Sequence, residues 1–532
     1  MNAMKKRGVA ALLAVVMIAM VFSGCAGGST QTAEVNLDGE IPESLTIFSN
    51  LGSNVAAAGG NDYNDCLSFQ MLEEKTGCHV EWIHPASGAA KERFNMMMVS
   101  GEYPDAIVYN WPTAPGGIEA YIEDEVIVDL TPYIEECMPN FSKILEEYPE
   151  YKKDVVNDEG KIFAIPFISI DKNLGKFQGP VIRQDWLDKL GLEVPTNADE
   201  LYEVLKAFKT QDPNGNGKAD EIPMGGNKLE MYTGIGSLLW MFGAHWTYHL
   251  VDGEVVYGPM TDNFKEGLAY MAKLYSEGLI DPDYLLDTRA KVDAKFTSDQ
   301  MGFAFGYQPT TYYPTMNDGT RVVKGIPFLV APDGKNYSFN NSYTQLVKQA
   351  TSLAISTSNQ NVAGTLKWVD ELYSEEGIRM MNFGKEGLSY EMVDGEEIFT
   401  DYLLNPTNGK TSAQMIALTC AVRDSQVPMV TTWQFYKQTL APWGIQAVET
   451  WENCDPYVDG ILPPISKTVE EGEAFSEIMN VVDTYMLEVV NKIITGQESI
   501  DNWDAAIEQF KSMGIEEAVN IQKAAYKRYT ER

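Results

Sequence analysis

Short apolar segments alternate with segments of helical periodicity in the first part of the chain. Residues 44–49 (SLTIFS), 79–83 (HVEWI) and 105–109 (DAIVY) are apolar and β-branched or alternate in polarity, which predicts strands. Residues 63–76 and 91–100 between them predict helices, and each is followed by a glycine, a common residue at helix ends. This order predicts parallel strands joined by crossover helices, and therefore an α/β fold.

The same signals continue to the C-terminus. They predict further strands at 161–166, 301–305 and 352–356, and further helices at 185–190, 199–208, 264–277, 361–373, 475–495, 500–510 and 516–529. The chain has 532 residues, which is too long for one small core, so we expect at least two lobes.

Residues 1–24 have the pattern of a signal peptide. Lys5, Lys6 and Arg7 precede an apolar run over residues 9–22, which is short for a membrane span. The run ends in VFSGC and resembles the bacterial lipobox, in which the cysteine, here Cys25, is acylated and becomes the first residue. An ordinary signal peptide with a cysteine nearby is the alternative. Residues 25–43 are small and polar, and predict a flexible tether.

The charge balance narrows the class of partner. Lys and Arg number 40 and Asp and Glu number 76, for a formal net charge of −36. Such an acidic chain repels phosphate backbones, so we expect no nucleic-acid partner. With four His, a histidine-built metal site is not favoured.

The cysteines do not form a disulfide framework. After Cys25 an odd number remains, and none has the C-x-x-C spacing of zinc or thioredoxin sites. We expect buried thiols at Cys66, Cys78, Cys137, Cys420 and Cys454.

Ten segments in order resemble the extracellular solute-binding proteins of sugar ABC importers, specifically a subgroup of large oligosaccharide- and polysaccharide-binding lipoproteins. The resemblance covers nearly the whole chain after the signal peptide. It is carried by EEKTG, HVEW, SGEYPDAIV, EDEVIVDLTPYI, KIFAIPF, VIRQDWLDKLGLEVPTNADELYEVLKAF, EGLAYMAKLYSEGLIDPD, FGKEGLSYE, LPPISKT and the terminal ITGQESIDNWDAAIEQFKSMGIEEAVNIQKAAYKRY.

The resemblance implies a type II periplasmic-binding fold, in which two lobes joined by a hinge face each other across a ligand cleft. We predict that residues 44–168 and 345–405 form lobe 1, and that residues 169–344 and 406–532 form lobe 2. The implied function is that of a monomeric substrate-binding lipoprotein on the outer face of the cytoplasmic membrane. It would capture an oligosaccharide and deliver it to the membrane permease subunits of an ABC importer, without catalysis.

Residues 212–223 (DPNGNGKADEIP) have the spacing of a calcium-binding loop. Oxygen-bearing side chains stand at positions 1, 3, 5 and 9, and a glycine at position 6 supplies the sharp turn. Pro223 replaces the usual bidentate Glu at position 12, so Glu221 would supply that carboxylate. A metal-free turn is the alternative. The predicted ligands of a structural Ca²⁺ are Asp212, Asn214, Asn216, Lys218 (through its backbone carbonyl), Asp220 and Glu221.

Sugars present apolar faces and a rim of hydroxyls, which aromatic rings and polar side chains bind. Most aromatic residues of a chain this long belong to its core. The candidates for ligand binding are therefore those at the carboxyl ends of predicted strands or in loops. The predicted ligand-binding residues are Asn110, Trp111, Tyr232, Tyr307, Gln308, Glu386 and Trp443.

Two other functions remain open at this point. The chain has no complete P-loop, G-x-S-x-G or H-E-x-x-H motif, but 76 acidic residues always offer pairs for glycoside hydrolysis. A secreted calcium-stabilised glycan-degrading enzyme is therefore one alternative. A peptide-binding lipoprotein, which would share the anchor and the fold, is the other.

Replacing Cys25 with serine should release the protein from the membrane, because stable anchoring of a soluble domain depends on its acyl chains. Fractionation of expressing cells measures this, with Ser29→Ala as the control that should remain in the membrane fraction. A Cys25→Ser protein that stays membrane-bound would contradict the lipobox interpretation.

Overall fold

The computed structural model describes residues 35–175, 177–230, 233–307, 320–339, 346–421, 427–454, 457–458 and 460–532. The chain divides into two compact units, Met1–Asn36 and Leu37–Arg532, and every element below belongs to the second. The predicted signal peptide and Cys25 lie outside the described residues, as do Tyr232 and Gln308.

The strands follow the predicted pattern in the first part of the chain. They are β1 (Ser44–Phe48), β2 (His79–Ile83), β3 (Ala106–Tyr109), β4 (Ile165–Ser169), β5 (Gln178–Arg183), β6 (Ile222–Gly225), β7 (Tyr248–Val251), β8 (Glu254–Tyr257), β9 (Met301–Tyr307), β10 (Val323–Gly325), β11 (Asn336–Tyr337), β12 (Val347–Ile355), β13 (Tyr390–Val393), β14 (Glu396–Phe399), β15 (Val430–Thr431) and β16 (Tyr457–Val458).

Helices connect most of these strands. They are Ser53–Ala57, Leu67–Thr76, Ala90–Ser100, Gly117–Glu123, Thr131–Cys137, Pro139–Glu147, Pro149–Val155, Gln184–Leu190, Ala198–Thr210, Asp262–Ser276, Arg289–Thr297, Val362–Glu371, Glu375–Phe383, Asp401–Leu404, Ser412–Thr419, Trp433–Thr439, Pro442–Glu452, Val469–Ile494, Trp503–Ser512 and Ile515–Thr530, with a long 3-10 helix at Ile235–Phe242.

Two mixed sheets organise the described residues. The larger has six strands in the order β15-β4-β12-β3-β1-β2, and β1 pairs in parallel with both β2 and β3. The smaller has four strands in the order β10-β5-β9-β6. The predicted α/β class is therefore confirmed, although β12 runs antiparallel to β3 and β4, which the crossover pattern alone does not predict.

Each sheet has its own hydrophobic core. The core of the six-stranded sheet joins strand residues such as Ile47 to Leu366 and Val369 of a covering helix. The core of the four-stranded sheet joins Phe303 to residues of the C-terminal helices, among them Trp503. Burial of two separate apolar faces on two sheets produces the two lobes that chain length led us to expect.

One segment packs differently from the predicted lobe boundaries. Helix Ser412–Thr419 and strand β15 contribute to the core of the six-stranded sheet, whereas the predicted lobe 2 starts at residue 406. Strand β15 has only two residues, which is too short to give a periodic sequence signal. The other boundaries remain predictions.

The strand predicted at 161–166 begins later in the structure, at Ile165. The preceding backbone is bonded elsewhere: the Ile162 amide donates to the Thr131 hydroxyl at 2.8 Å, and its carbonyl accepts from the Leu130 amide at 2.8 Å. These bonds hold 161–164 as a connecting segment rather than as part of the sheet.

The five cysteines after Cys25 are buried free thiols, as expected. They do not form one cluster: four lie in the core of the six-stranded sheet and Cys454 lies in the core of the four-stranded sheet. Cys420, for example, is fully buried, and burial raises its pKa out of the range in which a thiolate forms near neutral pH. These residues act as small apolar side chains.

A cluster of charged residues at the C-terminus connects elements of the two cores. Arg532 donates to the Asp158 carboxylate at 2.7 Å and to the Ser466 hydroxyl at 2.8 Å, and its side chain is 1 % exposed. Arg528 bonds Asp158 at 2.6 Å and forms a two-pronged contact with Glu471. We call Asp158, Ser466, Glu471, Arg528 and Arg532 the C-terminal clasp.

Arg532→Met should lower the free energy of unfolding by about 2 kcal/mol, because it removes charge-assisted bonds and leaves part of Asp158 without donors. Arg379→Met is the matched control: its ion pair with Glu397 is half exposed, and its loss should cost less than about 1 kcal/mol. Urea unfolding of both variants measures the difference. Equal losses would show that the clasp adds no stability beyond a surface pair.

Candidate functional site

A cavity of about 310 Å³ lies where β1 and β3 end. It is lined by Asn50, Tyr109, Asn110, Thr113 and Thr351, together with Lys91 at the start of a helix. The carboxyl ends of neighbouring parallel strands are the usual ligand site of an open α/β sheet, because the loops that leave the strands there can diverge. Predicted residue Asn110 lies in this cavity.

A second cavity, of about 660 Å³, shares Lys91 and Thr113 with the first. Its walls come from residues 111–119, 154–166 and 465–480. The first two segments belong to elements of the six-stranded sheet, whereas the third opens helix Val469–Ile494, which packs in the core of the four-stranded sheet. A ligand in this cavity therefore contacts elements of both cores.

Trp111 lies in the wall of the larger cavity, where it packs among other aromatic rings. It is only 2 % exposed. Its ring packs edge-on against Phe94 at 5.8 Å and Tyr121 at 5.6 Å, and its indole N–H donates to the Ser352 carbonyl at 3.0 Å. These contacts hold the ring in place. A direct stacking role of Trp111 on a sugar stays a prediction.

Tyr307, Glu386 and Trp443, the other predicted ligand residues within the described part of the chain, belong to three separate elements. Tyr307 ends β9, where its backbone pairs with Gln178. Glu386 is an exposed residue of the turn before β13, and Trp443 is half-buried, with the Lys324 ammonium 5.1 Å from its ring centroid. Glu386 and Trp443 line neither of the two cavities above, so the structure does not bring them together with Asn110.

The larger cavity contains charged residues that the sequence did not single out. Glu119 and Lys467 face it from helix Gly117–Glu123 and from the residue before the cap of helix Val469–Ile494. Burial raises the pKa of Glu119, and its own backbone amide partly offsets this effect. Burial lowers the pKa of Lys467, which the charges of Glu471 and Glu119 oppose. Only the position of Lys467 in LPPISKT, a segment of the family resemblance, could have pointed to it.

Asp154 is another titratable group that lines this cavity. Burial raises its pKa, while a 2.7 Å hydrogen bond from the Tyr529 hydroxyl and the charge of Arg532 lower it. Tyr529 lies on the C-terminal helix, close to the clasp residue Arg528. The Asp154 carboxylate therefore already has a hydrogen-bond donor within the protein.

The loop predicted to bind calcium is folded by hydrogen bonds between its own residues. Asp212 accepts from the backbone amides of Asn216 at 3.0 Å and Gly217 at 3.1 Å, which fold the loop around its carboxylate. Asp220 accepts from the side-chain amide of Asn216 at 3.0 Å. These contacts place the predicted ligands of positions 1, 5 and 9 near one another.

The donor set fits a hard cation such as Ca²⁺, which prefers carboxylate, amide and carbonyl oxygens. One oxygen of Glu221 is buried without a hydrogen-bond partner, and burial followed by the charges of Asp212 and Asp220 raises the pKa of this carboxyl. No group of three or more His, Cys, Asp and Glu side chains in the described part of the chain forms a metal cluster by itself. Calcium at this loop would therefore need the amide and backbone oxygens as well.

Residues 56–378, more than half of the chain, match the model of a known family, described as bacterial extracellular solute-binding protein. The chain belongs to this family. Fructooligosaccharide ABC transporter substrate-binding protein FusA of Streptococcus pneumoniae is 28 % identical over 492 residues, 88 % of each chain. Lipoprotein LipO of Bacillus subtilis is 28 % identical over 401 residues, 73 % of this solute-binding protein and 74 % of LipO.

Solved structures agree with the fold. FusA in complex with kestose has a TM-score of 0.74 at 25 % identity and covers 92 % of this chain and 99 % of its own. An EF-hand mutant of FusA with fructo-nystose has a TM-score of 0.72 at 24 % identity, with coverage of 92 % and 99 %. A human-milk-oligosaccharide (HMO) binding solute-binding protein from Bifidobacterium longum infantis has 0.76 at 24 %, covering 93 % and 100 %. The predicted two-lobed binding-protein fold is confirmed.

The helices of the described residues include none that is long and apolar enough to span a bilayer.

Proposed function

We propose that this solute-binding protein captures an oligosaccharide outside the cell and delivers it to the membrane permease subunits of an ABC-type importer. The observation that carries the proposal is a pair of adjacent cavities, one at the carboxyl ends of β1 and β3 and one lined by elements of both cores. FusA, which is 28 % identical over most of the chain, is named for fructooligosaccharides.

The lining of the smaller cavity suits sugar hydroxyls. Asn50 and Asn110 offer amide donors and acceptors, Thr113 and Thr351 offer hydroxyls, and Tyr109 adds a ring. A sugar needs this combination because each of its hydroxyls both donates and accepts, while its C–H face packs on a ring.

The rival functions are less well supported. The family is one of binding proteins, and FusA, LipO and the HMO-binding protein are not named as enzymes. A peptide ligand would share the fold, but the relatives whose names state a ligand are named for saccharides, among them fructooligosaccharide and polygalacturonan/rhamnogalacturonan. Solute capture for import is therefore the function, with oligosaccharide as its ligand class.

The remaining expectations belong to the same proposal. The lipid on Cys25 would keep a monomeric protein on the outer face of the cytoplasmic membrane, beside its permease, and the relative LipO is itself named a lipoprotein. Closure of lobes 44–168 with 345–405 onto 169–344 with 406–532, allowing for the packing of 412–431 on the first sheet, would trap the sugar.

A structural Ca²⁺ at Asp212, Asn214, Asn216, Lys218, Asp220 and Glu221 is also part of the proposal. It is supported by the close approach of Asp212, Asn216 and Asp220 within the loop and by the buried oxygen of Glu221 that has no hydrogen-bond partner. The EF-hand mutant of FusA shows that this relative has an EF-hand. When bound, the ion would neutralise carboxylates that otherwise repel one another, and it would take no part in ligand capture.

Asn110→Ala should weaken oligosaccharide binding two- to tenfold, which corresponds to the loss of about one hydrogen bond. Isothermal titration with kestose, nystose, maltotriose and cellotriose measures this for the wild type and the variant. Trp443→Ala, which changes a predicted residue outside both cavities, should leave the affinity unchanged. Tight binding of a peptide with no binding of any glycan would refute the proposed function.

Chelation of calcium should lower the melting temperature, because a ligand that binds only the folded state stabilises it by about 2.7 kcal/mol at a hundredfold excess over Kd. Asp212→Ala should abolish this response, since it removes the carboxylate around which the loop folds. Lys218→Ala should retain it, because only the backbone carbonyl of residue 218 would reach the ion. A wild-type melt that does not respond to chelator, in protein free of metal, would exclude the site.

A further inference from the structure

A lysine and a glutamate that line the larger cavity, Lys467 and Glu119, are both available to a ligand. The Lys467 ammonium lies 4.6 Å from the centroid of the Phe475 ring, and it makes no hydrogen bond with the described residues. The Glu119 carboxylate has its own backbone amide as its hydrogen-bond donor. Both groups are half-buried, and both line the same cavity from different elements.

The two groups are close enough to influence each other. The charge of Lys467 lowers the pKa of Glu119, and the charge of Glu119 raises that of Lys467, each against the larger effect of burial. A half-buried charge with few bonds gains most from a new hydrogen bond, because water has already been partly removed from it.

We propose that Glu119 and Lys467 determine specificity by binding neighbouring hydroxyls of one uncharged sugar unit, and that they select neutral oligosaccharides against uronate-containing ones. One hydroxyl donates to the Glu119 carboxylate, and the next accepts from the Lys467 ammonium. The proposal rests on the proposed function and adds the charge class of the ligand.

Neutrality of the ligand follows from the balance of charges at the wall. A sugar carboxylate would pair with Lys467 but would meet Glu119 beside it, and Asp154 also lines the cavity. Lys91 and Lys161 line the cavity too, but neither is among the main charges that act on the pKa of Glu119 or of Lys467. The sugar carboxylate would also lose its own hydration, a cost that one cation rarely repays when like charges are near. A pair of hydroxyls bonds both existing charges and adds none. The strongly acidic chain acts in the same direction at longer range, because its net charge of −36 repels polyanions.

Another lysine of the cavity, Lys161, provides the control. Lys161 lines the same cavity, but its ammonium is paired with Glu159 at 2.8 Å and is about half exposed. Lys161→Met therefore removes a lysine from the cavity without removing an unpaired cation from its wall.

The experiment compares isothermal titrations of the full mature chain with kestose, maltotriose and cellotriose and with trigalacturonate. The wild type should bind at least one neutral trisaccharide and should bind trigalacturonate at least tenfold more weakly. Glu119→Gln and Lys467→Met should each weaken the neutral ligand roughly tenfold to hundredfold, the range for hydrogen bonds to charged groups. Lys161→Met should change it less than twofold.

The ratio of the affinities for neutral and acidic trisaccharides tests the proposal most directly. A purely structural role of Glu119 or Lys467 would not change this ratio. Glu119→Gln keeps the shape of the side chain but removes its charge, so the preference for neutral over acidic trisaccharide should shrink. Lys467→Arg, which keeps the charge, should retain most of the affinity if Lys467→Met does not fold. Neutral binding unchanged by Glu119→Gln, or tighter binding of trigalacturonate by the wild type, would overturn this inference and leave the proposed function intact. Binding of none of these glycans, with binding of a peptide, would overturn the proposed function itself.

Discussion

The C-terminal clasp is the interaction on which the arrangement of the cavity depends. Arg528 lies in the last turn of helix Ile515–Thr530, which packs in the core of the four-stranded sheet, and Arg532 follows this helix. Both arginines donate to Asp158, which follows a helix packed in the core of the six-stranded sheet. The same arginines bond Glu471 and Ser466 beside the start of helix Val469–Ile494. Two walls of the larger cavity, residues 154–157 and 465–467, are therefore joined at one set of charges. Ion pairs with multiple donors and little exposure resist both salt and solvent better than single surface pairs.

This arrangement restricts where the lobes can separate. Opening beside the clasp must break bonds of Arg532, whose side chain is 1 % exposed, whereas the smaller cavity at Asn50 and Asn110 is on the other side of the shared residues Lys91 and Thr113. In the proposed function, a sugar chain would enter past Asn110 and reach Glu119 last. The entry side would be lined mainly by amides and hydroxyls, and the inner side would carry Glu119 and Lys467.

Much of the fold could be predicted from the sequence because its elements have strong periodic patterns. The strands at 44–48 and 79–83 and the helix at Ala198–Thr210 with its Asn197 cap agree with the prediction within one or two residues. Long-range pairing could not be read in this way: nothing in residues 347–355 shows that they run antiparallel between two other strands. The two-residue strand β15 is too short for any pattern.

The site was less predictable than the fold for a related reason. Position at the end of a strand correctly placed Asn110 beside a cavity, because strand ends are fixed by the sheet. The same rule selects Trp111, which lines the larger cavity, and a stacking role for its ring stays a prediction. Its indole N–H donates to the Ser352 carbonyl, and the ring is largely buried. Glu119 and Lys467 are separated by almost 350 positions and carry no motif, so only the tertiary structure brings them to one cavity.

A ligand that reaches this wall changes the lobe equilibrium only by contacts that differ between open and closed states. Glu119 lies on helix Gly117–Glu123, which packs on strands of the six-stranded sheet. Lys467 precedes helix Val469–Ile494, which packs in the core of the four-stranded sheet. Hydroxyls bonded to both exist only when the two are close, so their bonds favour closure, whereas bonds to Asn110 alone form equally in either state. Affinity at the entry and selection at the inner wall are then separate: the amides hold the sugar, and the charge pair determines which sugar closes the protein.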